Sequence, residues 1–315
     1  MHRRLFYFLL ILIISTLIWF LSNDKESTII DDNNFSVTDT ASIRKIFIAD
    51  RSGKTITLDR TNNIWTVNNK YEVRKDAIMT ILNTIYQIRI KRPVPKNAFE
   101  GVIKDLATTG VKVEIYTNNK TPIKTYTIGN PTAHHLGSYM LLDGAKTPFI
   151  VHIPSFKGFL SPRYGIQGQR LNEKDWRKTT IFKLNIENIT RVCVNNFHES
   201  DKSFTLKTKP MTLFNHKGNE VSFKKEKVLE LLNSFRKLNC ESFKDDEDQL
   251  RSSSLLYELI INNDTLRTYS FSKAEDNTEK SNVKRMYARL NNGELMLVQD
   301  YVFNKVLITL NELKK

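Results

Sequence analysis

The feature that most constrains this chain is that one unit is written in it twice. Residues 43–48, "IRKIFI", return at 189–194 as "ITRVCV". Ile78, Ile81, Leu82, Ile85 and Ile88 share one helical face, and Val228, Leu231, Leu232, Phe235 and Leu238 repeat that spacing 150 positions later. "LATTGVKVEIYTNN" (106–119) pairs with "LRSSSLLYELIINN" (250–263), "TYTIG" (125–129) with "TYSFS" (268–272), and "YMLLDG" (139–144) with "YARLNN" (287–292). Five weak matches in one order, with offsets that drift by only a few residues, predict a duplication. The alternative is two unrelated α+β domains that share generic strand–helix–strand patterning.

Each copy predicts the same order of elements. Short strands alternate with period two, as in "KTITLDR", where Ile56 and Leu58 lie on one face and Thr55 and Thr57 on the other. Turns fall at Ser52-Gly53, Asn62-Asn63 and Asn68-Asn69, because Gly and Asn tolerate positive φ. An amphipathic helix follows from about Arg74, and "NAFEGVIKDLATTG" forms a second helix stopped at Gly110. The second copy keeps only "DDEDQL" there. A closing helix is expected over "YVFNKVLITLNELKK". The fold class is therefore α+β: an N-terminal transmembrane helix followed by two tandem repeats, each a mostly antiparallel sheet with one or two packed helices.

Residues 5–21, "LFYFLLILIISTLIWFL", carry no charge. At about 1.5 Å per residue they just cross a bilayer core of roughly 30 Å. Cationic "MHRR" precedes them, which places the N-terminus in the cytoplasm and the body outside. A cleaved signal peptide is the alternative, but bulky Trp19, Phe20 and Leu21 stand where small residues would mark cleavage, and no Cys is there to accept lipid. The expected organisation is a signal anchor (1–22), a polar stalk (23–42), a first repeat (43–155), a Gly- and Pro-bearing connector (156–188) and a second repeat (189–315). The expected location is the bacterial inner membrane, single-pass, with the bulk periplasmic.

Charge narrows the partners. Against 34 Asp and Glu stand 48 Lys and Arg, a formal +14, which favours anionic surfaces. Export makes nucleic acid an unexpected partner; anionic lipid fits patches such as "RIKRPVPK" (89–96). Cys193 and Cys240 both lie in the exported part, where a disulfide persists. Their half-apolar flanks equally suit two small buried hydrophobes.

No P-loop, strand-linked GxGxxG, HExxH, GxSxG or EF-hand loop is present, so no catalytic, cofactor-binding or metal residue is assigned, no cofactor is expected and an enzyme is not the leading expectation. His134 and His135 sit in the loop-like "GNPTAHHLGS", where both could reach one metal ion or partner, with solvated loop histidines as the alternative. Trp176 and Arg177, in "EKDWRKTTIF", suit a protein–protein anchor, with a plug between the copies as the competing role for Trp176. These four are the partner-binding candidates.

The stretch from "SGKTITLDRTNNIWTVNN" to "RPVP" resembles the domain-of-unknown-function 4340 family, extracytoplasmic proteins of Bacteroidetes and their relatives. The likeness rests on the Trp65–Asn68 turn, the tyrosine before the Arg74–Ala77 helix start, the Val94-Pro95 exit, "TYTIG", "GSYMLL" and "DWRKTTIF". It covers most of residues 43–185. The resemblance implies an envelope protein, related domains occurring with ABC-transporter auxiliary subunits, and supplies no catalytic residue. The leading expectation is a membrane-anchored periplasmic binding or scaffold module of a cell-envelope assembly, with a protein partner. The alternatives are a periplasmic hydrolase with a non-contiguous site and an anionic-lipid or cell-wall binding module.

Overall fold

The computed structural model describes residues 35–168, 170–245, 247–271 and 284–315. The expected anchor and most of the stalk lie outside these, and no helix among the described residues is long and apolar enough to cross a membrane. The chain divides between Trp176 and Arg177 into two compact units.

In the first unit, β1 (Lys45–Ala49), β2 (Thr55–Thr61), β3 (Ile64–Val67) and β4 (Tyr71–Glu72) lead into helix α1 (Lys75–Gln87). Then come β5 (Arg89–Pro93), α2 (Lys96–Thr109), β6 (Val111–Tyr116), β7 (Lys124–Pro131), β8 (Ser138–Leu142) and β9 (Phe149–His152). The nine strands form one antiparallel sheet in the order β4-β3-β2-β1-β6-β7-β8-β9-β5. The asparagine pairs close its hairpins as the sequence predicts: Asn62, Asn63, Asn68 and Asn69 all have φ between 49° and 64°.

Alternation sends Ile46, Ile48, Ile56, Leu58, Val113 and Ile115 into one core, against Ile78, Ile81 and Ile85 of α1. On the opposite face α2 sets Val102 and Leu106 against Val94 and Ile150. Gly110 ends α2 with an ordinary φ of −64°. A Cβ there would collide with the Leu106 carbonyl and the Thr127 methyl, so close approach, not a left-handed turn, requires glycine.

The second unit carries β12 (Thr180–Phe182), β13 (Arg191–Asn196), β14 (Phe204–Thr208), β15 (Met211–Asn215), β16 (Glu220–Val221) and α3 (Lys225–Ser234). It continues through β17 (Leu238–Asn239), β18 (Ser242–Phe243), α4 (Asp248–Arg251), β19 (Leu255–Ile261), β20 (Asp264–Ser270), β21 (Arg285–Leu290) and β22 (Met296–Gln299). Its nine-stranded sheet runs β16-β15-β14-β13-β19-β20-β21-β22-β18, the same order element for element, while β12 pairs with β17.

Register sets residue equivalences. Ile46 lies opposite Leu58 and Ile115; Val192 lies opposite Leu206 and Ile261. Ile46 thus answers to Val192 and Ile115 to Ile261, a common offset of 146. The match of 106–119 to 250–263 at offset 144 is two residues out of register, which keeps every side chain on its face; β19 carries an irregularity between Leu255 and Tyr257. "TYTIG" does not answer to "TYSFS". Tyr126 pairs with Val113, and its counterpart Leu266 pairs with Leu259. The β19–β20 hairpin closes through Asn262-Asn263, whereas the β6–β7 loop runs from 117 to 123.

Three expected segments differ. Residues 35–42 are not free stalk: Phe35 and Val37 enter the first core, and Val37 N–H donates to the Ile85 carbonyl at 3.1 Å. The connector is divided rather than open. In its first part Leu160, Tyr164, Ile166, Leu171 and Trp176, through the small hairpin β10 (Ile166–Gln167) and β11 (Arg170–Leu171), close the first core. Phe182 and Ile189 begin the second. The C-terminal helix is instead two single turns, α5 (Asp300–Phe303) and α6 (Leu310–Leu313). Thr309 caps α6 reciprocally with Glu312, and that cap needs an extended Thr309, which breaks the helix.

Candidate functional site

Each unit shuts its helix side with the segment that follows its sheet, and the same bond marks the closure. Arg74 N–H, ahead of α1, donates to the Trp176 carbonyl at 2.8 Å; Lys224 N–H, ahead of α3, donates to the Leu313 carbonyl at 2.8 Å. Trp176, 2% exposed, is therefore the closing residue of the first core, not a surface anchor. Gly165 has φ +66°, and a Cβ on it would stand 2.6–2.8 Å from the indole ring, so this glycine gives the indole its place.

Arg177 is 5% exposed in the second unit. Its guanidinium makes a two-pronged bond to Glu294, at 2.9 and 2.6 Å, and lies 4.0 Å above the Phe243 ring. His134 and His135 are exposed in the β7–β8 loop, His135 at φ +55° with its ring 5.5 Å from Phe159. Of the four expected contacts, only the histidines face solvent. Among the described residues no cluster of three or more His, Cys, Asp or Glu is placed to hold a metal.

Cys193 and Cys240 are both buried free thiols. Alternation explains why they do not meet: Val192, Val194 and Cys240 face the core, while Cys193 points to the other face, beside Thr205 and Asn195. Burial pushes the Cys240 thiol up to about 12, which makes it inert at neutral pH.

That other face of the second sheet carries a cleft of varied chemistry. Asn195, Thr205, Lys207 and Phe214 project from β13, β14 and β15 into a space of about 660 Å³, with Phe197 and His216 on flanking loops. An asparagine ties each loop. Asn196 Oδ1 accepts from the N–H groups of His198 (3.0 Å) and Glu199 (2.9 Å), and Asn215 Oδ1 from those of Lys217 and Asn219, both at 3.0 Å. The first tie holds Phe197 out with 52% of its surface exposed. The Lys207 ammonium lies 5.3 Å over the Phe214 ring. Among the described residues no carboxylate lines this cleft, so it offers aromatic faces, amides and hydroxyls beside a cation. Sequence reading missed it, because "NNFHES" does not reveal that its Phe is held outward.

A second kind of space recurs between helix and closing segment. In the second unit it is a groove of about 650 Å³ whose lining includes Lys227, Glu230 and Glu312. The matching positions in the first unit, Ala77, Thr80 and Asp175, line a socket of only about 130 Å³. Pro162, Arg163 and Gly165 reach into that part of the first unit. Burial raises the Asp175 carboxyl above its ordinary value, with Arg74 opposing the shift.

The chain belongs to the family described as a domain of unknown function (DUF4340), whose match runs over residues 65–255. Cleft and socket both lie within that span. No curated protein and no solved structure matches the chain.

Proposed function

We propose that this protein is a membrane-anchored binding or scaffold module of a bacterial cell-envelope assembly, of the kind that accompanies an ABC transporter, and that the cleft on the second sheet receives its partner. The observation that carries this reading is the cleft itself. A large apolar side chain is held into solvent by a tied loop, beside a cation and with no carboxylate among the described lining residues. Anchor residues at interfaces have this chemistry: an aromatic core to a contact, rimmed by polar groups. The fitting partner is a protein segment presenting an apolar side chain next to an acidic one.

The uncharged run 5–21 behind "MHRR" supports an inner-membrane anchor with the body periplasmic. The shared strand order and the common offset of 146 support descent of the two units from one duplicated repeat. Cross-linking in intact membranes, followed by purification of the full chain, tests the reading. Wild type captures a discrete envelope protein, and Phe197→Ala or Lys207→Glu loses it without loss of folded protein. Equal capture by wild type and both variants, or a body that stays alone, overturns it. Binding that follows anionic vesicles and vanishes with salt favours the lipid module instead.

A further inference from the structure

The socket of the first unit holds more hydrogen-bond donors than the fold uses. Trp176 is 98% buried as a residue, and its indole N–H has no acceptor among the described residues; Arg74 Nε, also buried, has none either. Native interiors meet nearly all such donors. Both residues line the socket, and so does Arg163. Arg163 is locked in place, its Nε donating to Thr84 Oγ1 at 2.7 Å.

The start of α1 lies at the same place. This 13-residue helix begins with no side-chain cap, and Asp76 and Ala77 of its first turn line the socket. The positive end of a helix and its unmatched N–H groups attract anions. Asp76 stays at the rim, 75% exposed and 3.6 Å from Arg74.

We propose that the socket binds a phosphate-sized oxyanion, held by Arg74, Arg163 and the indole N–H of Trp176 over the first turn of α1. A volume of about 130 Å³ suits an ion, or the charged end of a ligand, of a few heavy atoms. The second unit cannot repeat the site: Leu313 stands where Trp176 does and has no side-chain donor, and Glu230 replaces Thr80. Asp175 opposes the anion from the socket wall, so removing its charge strengthens binding. The site is independent of the partner cleft and stands if that reading fails.

Full-length protein in detergent, labelled with ¹⁵N at tryptophan, tests this by titration with inorganic phosphate against a chloride control. The indole resonance that disappears in Trp176→Phe shifts and saturates with phosphate, while those of Trp65 and Trp19 stay. Arg74→Gln weakens the apparent affinity about tenfold and Asp175→Asn strengthens it by a similar factor. A saturable shift in phosphatidylglycerol nanodiscs without dissolved phosphate assigns the ion to a lipid headgroup; a shift with dissolved phosphate alone assigns it to the free ion. An indole resonance that responds to phosphate no more than to chloride overturns the proposal. So does an affinity that neither charge variant changes.

Discussion

Trp176 in the first unit and Leu313 in the second occupy the same point of the same topology and accept the same backbone bond, yet the spaces beside them differ several-fold in volume. A flat indole slides against Gly165, Pro162 and Arg163 fold over the helix, and a socket remains. Leucine on a capped single turn leaves the longer groove along α3 open. The difference shows that the strand order fixes where a closing segment must land, while the closing residues decide what kind of space is left. Trp65 and Trp176 both lie in the first core and no tryptophan follows Arg177, so an unfolding transition seen by tryptophan fluorescence reports the first unit, and circular dichroism reports both.

Trp176→Ala attacks the comparison hardest. Truncating a buried tryptophan costs about 3–5 kcal/mol, and the unfolding midpoint seen by Trp65 fluorescence falls steeply. Trp176→Leu, which borrows the second unit's solution, leaves the indole's space only partly filled and costs less. Equal losses for Ala and Leu would show that the two closures are not equivalent. Gly165→Ala comes next. It combines positive φ with a clash against the indole, an expected loss of about 1–3 kcal/mol, and pairing it with Trp176→Leu recovers part of that loss.

Arg177 and Glu294 sharpen the comparison from the other unit. Arg177's side chain is 6% exposed and Glu294's 45%, so the pair is asymmetric. Glu294→Gln takes a counter-charge from a buried guanidinium and costs about 1–2 kcal/mol, whereas Arg177→Leu takes a cation from a half-solvated carboxylate and costs less. Both lower the midpoint seen by circular dichroism, and the tryptophan transition of the first unit stays in place.

Much of this architecture is legible in the sequence because periodicity is a local property. The apolar faces of α1 and α3, the alternation of β1 and β2 and the asparagine turns follow from residue types at fixed spacing. The exact register was not legible. A slip of two residues leaves the pattern of faces intact, so "LRSSSLLYELIINN" fits its counterpart almost as well two positions away. Trp65 shows the consequence. Its strand partner is Arg60, and the matching rung of the second sheet pairs Thr208 with Met211. Met211 therefore stands in its place, and both residues pack against their cores. Cleft and socket were illegible for a different reason. They depend on which side chains long-range packing leaves outward or unmet, and no local signal carries that.

The smallest effect tests the closest pair of equivalents. Asp50 directly follows β1 as Asn196 stands at the end of β13, the same offset of 146 away, and each ties the turn that follows. Asp50 Oδ1 accepts from the N–H groups of Ser52 (2.9 Å) and Lys54 (3.0 Å) and from Ser52 Oγ at 2.7 Å. Asn196 does the same with neutral chemistry. Burial alone would raise the Asp50 carboxyl, but the bonds from Ser52, Lys54 and Leu171 outweigh it and hold the group below its ordinary value. A group lowered on folding adds stability that is complete above the unfolded value of about 3.9 and is lost as the pH falls through the lower folded value. The first unit therefore carries an acid-sensitive tie where the second has one that does not titrate. Asp50→Asn, which copies the second unit, costs under about 1 kcal/mol at neutral pH and flattens the fall of the tryptophan-detected midpoint below pH 4. An unchanged acid slope in this variant would mean that other carboxylates govern the acid response, and the two turns would then differ in sequence without differing in energy.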